Sequence, residues 1–327
     1  MELERRGDRE RRLGFSIAAD GEEKAQVSCS KKLGGVLMKY LKAVMLTMFF
    51  MLFSFITSLY AEEQKEPHKV ETQKEVILEH TEEPPVSGSV SVGVFNRYIF
   101  RGYELSYRSF VVQPSVSVSY KWFSASLWSN IDSDEHATQS FVPDREGHKS
   151  FNETDLTLSY TYAIDKLSLT AGYIYYGTKY TAETEEVFFT ASYDALLKPT
   201  LSVYRDINEY PGTYVNLALS HSLPVYKEIT FDIGASAGYF SGDGAYWKTY
   251  ESSTAGYTGE KYRAFHDGMI KAGFTIPVAK NITVQPVAQY WFPLSDKARK
   301  TVDGSSYNHN GKIDDTFVIG INLTLSI

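Results

Sequence analysis

Cysteine is nearly absent: Cys29 is the only one, and it precedes the first long apolar stretch. That excludes a disulfide framework and a cysteine-based metal site. A basic surplus is lacking too. Lys and Arg total 33 against 40 Asp and Glu, for a formal charge of −7, which argues against a nucleic-acid partner. Only Leu41 to Tyr60 approaches the length of a membrane-spanning helix, so a multi-helix membrane protein is excluded. The chain has no glycine-rich phosphate loop in a strand–helix setting, and no cofactor is expected. His136 and His148 fall in one connection and His309 in another, and chance accounts for the nearby Asp and Glu better than the constrained geometry of a metal site does. What is plentiful is aromatic: 24 Tyr and 19 Phe in a chain of slightly negative mean hydropathy. That mixture suits a β-barrel, whose residues are apolar only alternately.

The one long apolar run reads as a secretory signal. Lys39 and Lys42 open it, Val44 to Ile56 is its greasy centre, and Ala61 ends it at a sharp shift to polar residues. The competing reading is a membrane anchor over Leu41 to Tyr60. Residues 1–37 are expected to be a non-native or disordered extension, and 38–61 the signal. Residues 62–86, rich in Glu and Lys with Pro67, Pro84 and Pro85, bury too little apolar surface to fold alone and read as an acidic periplasmic linker. Removing 1–61 takes away ten basic and seven acidic groups, leaving a mature chain of charge −10.

From Ser87 the pattern changes to strict alternation. The carboxy-terminal twelve residues show it best: Phe317, Ile319, Ile321, Leu323, Leu325 and Ile327 alternate with small or polar residues. Successive strand side chains point to opposite faces, so this segment has one greasy and one polar face. Equivalent segments recur near 87–100, 108–120, 122–132, 152–163, 166–177, 185–194, 198–206, 212–222, 227–240, 262–277, 281–292 and 315–327. Most have the nine to eleven residues that a tilted strand needs to cross a bilayer. Connections after even-numbered strands are tight, around Lys121, Asp165, Leu196-Leu197, Pro224-Val225 and Val278 to Lys280. Those after odd-numbered strands include the long polar stretches 133–151, 241–261 and 293–314. A soluble sandwich has no reason to sort its loops this way, whereas an outer-membrane barrel does. The fold expected for 87–327 is therefore all-β: a transmembrane antiparallel up-and-down barrel of about twelve strands. Tyr120, Trp122, Tyr160, Tyr162, Tyr173, Tyr175 and Trp291-Phe292 at strand ends fit its interfacial girdles.

Asn96 to Gly102 followed by Ser106 resembles the opening motif of the TorF-family porins, outer-membrane barrels of bacteria. The matching positions are Tyr98, Phe100, Arg101, Gly102 and Ser106, with Gln113 and Trp128-Ser129-Asn130 agreeing further along. The likeness extends over roughly 87–225. It implies an outer-membrane channel. The chain departs from the barrel pattern in ending on Ile327 rather than an aromatic residue, and in the connection 241–261.

Carrying the parity of each strand inward assigns Arg97, Arg101, Asp132, Asp155, Glu186, Asp194, Asp232, Arg263, Asp267 and Lys271 to the lumen, as candidate selectivity residues. Opposed charges there create a transverse field that filters ions; paired with each other, they would instead fill the barrel, and at about twelve strands both outcomes are open. Parity also puts His266 on the lipid-facing side, the one residue on which a lipid esterase could be based, although no serine partner is evident. The expected function is a non-enzymatic, porin-like passage for small polar solutes or ions. The alternative is a non-conducting barrel whose loops bind at the surface. Expected partners are outer-membrane lipids, the barrel-assembly machinery and the solutes themselves, with both termini periplasmic.

Overall fold

The computed structural model describes residues 86–136, 138, 142–251, 254, 256–302, 306–307 and 313–327; the expected signal and almost all of the expected linker lie outside them. The chain opens with β1 (Ser87–Phe95), then β2 (Ile99–Phe100) and β3 (Tyr103–Glu104), which form a two-stranded sheet of their own, with one further bridge from Tyr103 to Ile313. Next come β4 (Val111–Tyr120), β5 (Phe123–Asp132), β6 (Ser150–Ile164), β7 (Leu167–Thr178) and β8 (Thr184–Tyr193). They are followed by β9 (Thr200–Asp206), β10 (Gly212–Tyr226) and β11 (Ile229–Gly242). Two short strands, β12 (Lys248–Glu251) and β13 (Tyr257–Lys261), precede β14 (Arg263–Ala279) and β15 (Ile282–Pro293). A short helix α1 (Asp296–Val302), β16 (Ser306–Tyr307) and β17 (Thr316–Ser326) complete the order.

Twelve of these close into one antiparallel barrel, each pairing with its neighbour in the chain and β17 pairing back to β1. The seam registers Gly93 on Asn322 and Val92 on Leu323, so the alternation of the first and last strands meets in phase. All twelve segments expected from the alternation are barrel strands. Three details differ. The first strand stops at Phe95 rather than 100. Pro224-Val225 and Val278-Ala279 are still strand, with reversal one or two residues later. Lys121, Asp165, Lys198 and Lys227 take positive φ at the tight turns, the left-handed geometry such reversals need.

The two faces separate as alternation demands. Val90, Leu127, Leu158, Phe189, Ile270 and Ile321 are among the large apolar side chains exposed on the outer face. From Phe317 to Leu325 this apolar row runs about 27 Å along β17, enough for a tilted strand in hydrocarbon. Tyr120, Trp122, Phe123, Tyr160, Tyr162 and Tyr226 ring the end with the tight turns, and Phe110, Phe151, Phe265 and Phe317 stand exposed at the other. Trp291 is not part of a girdle: its Nε1 donates to Gln289 Oε1 at 2.8 Å, on the inner face.

Inside, hydroxyls pair across neighbouring strands: Ser89 with Ser117 at 2.8 Å, Ser91 with Ser115 at 2.7 Å, Thr161 with Thr170 at 2.9 Å and Thr190 with Ser202 at 2.9 Å. Such cross-strand pairs pin register while keeping the wall polar. An apolar outside over a hydroxylated inside is the inverse of a soluble core. The fold is a transmembrane barrel.

Candidate functional site: a hairpin across the lumen

Asn96 releases the chain from the wall. Its backbone N–H still donates to Ile319 O at 3.0 Å, while its side-chain Oδ1 accepts from Ile319 N at 2.8 Å. The amide oxygen thus stands in for Asn96's own carbonyl, which would have accepted this bond had the ladder continued. The departing segment closes on itself: Leu105 N donates to Tyr98 O at 2.9 Å, and Tyr98 N to the buried Ser106 Oγ at 2.6 Å. Between them β2 and β3 form a two-residue hairpin whose turn is Arg101-Gly102, with φ of 48° and 82°. Two successive positive φ values are the signature of the type I′ turn, which matches the twist of a short hairpin. Gly102 is required twice over, because an added Cβ there would come within 2.7 Å of Asp267 Cβ. Tyr98, Tyr103 and Leu105 pack with Val111, Ala298 and Ile313 to give the hairpin its own core. Gly320 leaves room for Phe95 beneath it, since a Cβ would lie 2.2 Å from that ring.

The motif residues therefore cross the barrel rather than line it. In the ring order β9 lies diametrically opposite β1, flanked by β8 and β10. Arg101 meets all three. Its two terminal nitrogens donate to both Glu186 oxygens, each at 2.7 Å. Its guanidinium lies over the rings of Tyr204 at 4.5 Å, Tyr214 at 4.7 Å and its own neighbour Phe100 at 4.7 Å. A planar, delocalised cation suits such a fork-and-ring site as an ammonium would not. Tyr176 donates to Glu186 Oε2 at 2.9 Å, and Tyr214 to Asp267 Oδ1 at 3.0 Å. Arg97 pairs within the hairpin, with Glu104 Oε1 at 2.8 Å.

Of the ten lumen candidates, Arg101, Glu186 and Asp267 come together at the hairpin tip. Asp155 stands on the inner face of β6 near it. Asp132 is buried at the end of β5, accepting from Asp134 N at 3.1 Å. Asp232 and Lys271 lie in the hydroxylated half, where Thr230 and Thr275 donate to Asp232 at 3.0 and 2.6 Å. Two assignments are corrected. Asp194 is exposed in the tight turn after β8, its N–H donating to Lys166 O at 2.7 Å, beyond the lumen. Arg263 is on the outer face at the rim, 3.5 Å from Asp243 Oδ1.

The cause of the second correction also moves His266. In the pairing of β11 with β14, Ala237 faces Gly268 and Tyr239 faces Phe265, so β14 carries one extra residue. Such a bulge inverts parity beyond it. Phe265 is 62% exposed outside, whereas His266 and Asp267 are both fully buried and turned inward. His266 shares a 2.7 Å hydrogen bond with Tyr262 through Nδ1 and packs on the Tyr103 ring at 4.8 Å. It does not face lipid, which removes the geometry on which the esterase reading stood.

Alternation alone did not identify Tyr176, Tyr204 and Tyr214 as partners of Arg101, because parity turns them inward without saying which inner residues the hairpin tip reaches. Outside the bilayer span, Asp243 is held below the usual carboxylate range chiefly by its hydrogen bond from Arg205, with Arg263 and Lys261 adding to it. Glu135 is likewise lowered: burial pushes it up, but hydrogen bonds from Tyr180, Ser150 and Arg145 outweigh that. Both tie connections at the barrel end opposite the tight turns.

No family model matches the chain. No curated protein matches it. Solved structures that resemble it include a NanC porin (11% identity, TM-score 0.43, covering 73% of this chain and 98% of that one). A KdgM porin gives 9%, 0.41, 74% and 99%, and an outer membrane channel from Pseudomonas putida F1 gives 10%, 0.43, 77% and 100%. These likenesses carry no functional argument; the barrel rests on its own strand pairing.

Proposed function

We propose that the chain is an outer-membrane, porin-like channel for small polar solutes or ions, with its aperture set by the Arg101 hairpin. The observation that carries this reading is a hydroxyl-lined inner face within a closed apolar ring, crossed at one level by a short hairpin. The ionisable groups around the tip are mostly acidic: Glu153, Asp155, Glu186 and Asp267 gather near the Arg101 guanidinium. That balance favours cations over anions. The TorF-like motif is, on this reading, the part that builds the constriction. The tight turns and both chain termini face the periplasm and the long connections face outward, with lipids and the assembly machinery as partners.

The test is purified protein in a planar bilayer under a salt gradient. Discrete conductance steps with a reversal potential of cation-selective sign support the reading. A silent wild type together with a silent Arg101→Ala variant favours a second one, a non-conducting barrel that acts through its outer connections. That second reading draws on the reach of the hairpin, which extends fully to the opposite wall.

A further inference from the structure

On the side of the hairpin away from the tight turns lies a cavity of about 150 Å³. Its floor is Phe100, Arg101 and Tyr103, and its walls are the ends of β6 to β11 and the helical turn Ala245–Trp247. Nine of its twenty-one lining residues are aromatic. Tyr210, Tyr246 and Trp247 stand at steep angles: Tyr210 and Tyr246 are 56° apart at 4.5 Å, and Tyr246 and Trp247 are 88° apart at 5.2 Å. Trp247 is held there by its Nε1 donating to Tyr210 O at 3.1 Å.

Acidic groups outnumber basic ones in this wall. Glu153, Glu186 and Asp206 line it, and Arg101 is its one basic side chain among the described residues. Both terminal nitrogens of Arg101 are engaged by Glu186. Asp206 receives only neutral donors: Thr184 Oγ1 at 2.7 Å and the backbone N–H groups of Asn208 and Tyr210, each at 3.1 Å. None of the described ion pairs uses Glu153 or Asp206. Ring faces attract a cation, and carboxylates without a basic partner leave it a counter-charge. A neutral saccharide could stack on the same rings but would leave both carboxylates unmatched, and an anion would be repelled by them. The protein already uses this chemistry one layer down, where the Arg101 guanidinium is held by a carboxylate and three ring faces.

We propose that this outer vestibule is a binding site for a small organic ammonium cation, seated against Tyr246 and Trp247 with Glu153 and Asp206 as its counter-charges. The site stands whether or not the barrel conducts. Refolded full-length barrel in detergent is titrated by calorimetry with choline chloride as the probe, against sodium chloride and glucose at matched concentration. Saturable heat with choline alone is expected, weakened at least tenfold in Tyr246→Ala and in Glu153→Gln, and unchanged in Asp194→Asn at the opposite end. Heat-modifiable gel mobility establishes that each variant has folded, and Asp206→Asn takes the place of any that has not. No saturable choline heat, an equal response to sodium, saturation by glucose instead, or full affinity in the folded vestibule variants would each overturn the proposal. Because the measurement needs no bilayer, its failure is separate from failure to conduct.

Discussion

Arg101 combines a strained position with a saturated one. A non-glycine residue at φ 48° costs energy unless its surroundings hold it, and here a carboxylate and three rings do so. Its side chain and that of Glu186 are 12% and 8% exposed, so the pair is removed from bulk water. Removing one partner of such a pair leaves an uncompensated buried charge, worth about 3–5 kcal/mol. Glu186→Gln is therefore expected to lower unfolding stability in lipid by about 3 kcal/mol or more, read from the urea dependence of tryptophan emission. A loss below about 1 kcal/mol, typical of exposed pairs, would mean that the hairpin tip is hydrated and loosely held. In sequence, Gly102 after Arg101 permits a tight turn, and an arginine of lumen parity is expected to meet a lumen acid. Which acid it meets is not legible there, because Glu186 is remote in sequence and its inward parity is shared by several other acids.

At the scale of elements, alternation located every barrel strand, since a greasy row must survive along the whole outer face. It failed where geometry departs from a simple ladder. The bulge in β14 adds one residue, and parity read from Ile270 backwards then assigns His266 and Arg263 to the wrong faces. The inward turn at Asn96 failed for a similar reason: Tyr98 and Phe100 continue the strand-like composition after the strand has left the wall. The connection between β11 and β14 offers a pH test. The Asp243 carboxyl is depressed by Arg205, so its contribution is present above the ordinary aspartate value of 3.8 and is lost as pH falls through the lower folded value. Acidification should release the connection carrying Trp247 only below pH 3.8, seen as a red shift of emission that Asp243→Asn already shows at neutral pH. A transition above that value in the wild type would assign the release to another group.

For the whole molecule, everything depends on which face meets lipid, and neighbouring residues of β17 test it directly. Ile321 is 46% exposed near the middle of the outer row, and Asn322 beside it faces the lumen opposite Gln285 and Gly93. The two residues share a strand, a depth and nearly the same backbone pairing, so propensity and register affect them alike. Only the medium differs. A lysine on the lipid face at the bilayer midplane costs about 2–4 kcal/mol, because its ammonium must be dehydrated or drag water and headgroups inward. A lysine in a wet lumen keeps its hydration. Ile321→Lys is accordingly expected to lose about 2–4 kcal/mol in vesicle unfolding, while Asn322→Lys loses less than about 1 kcal/mol and weakens cation preference in the bilayer. Equal losses, or the reverse order, would require the greasy row to face inward and would remove the physical basis for a water-filled passage.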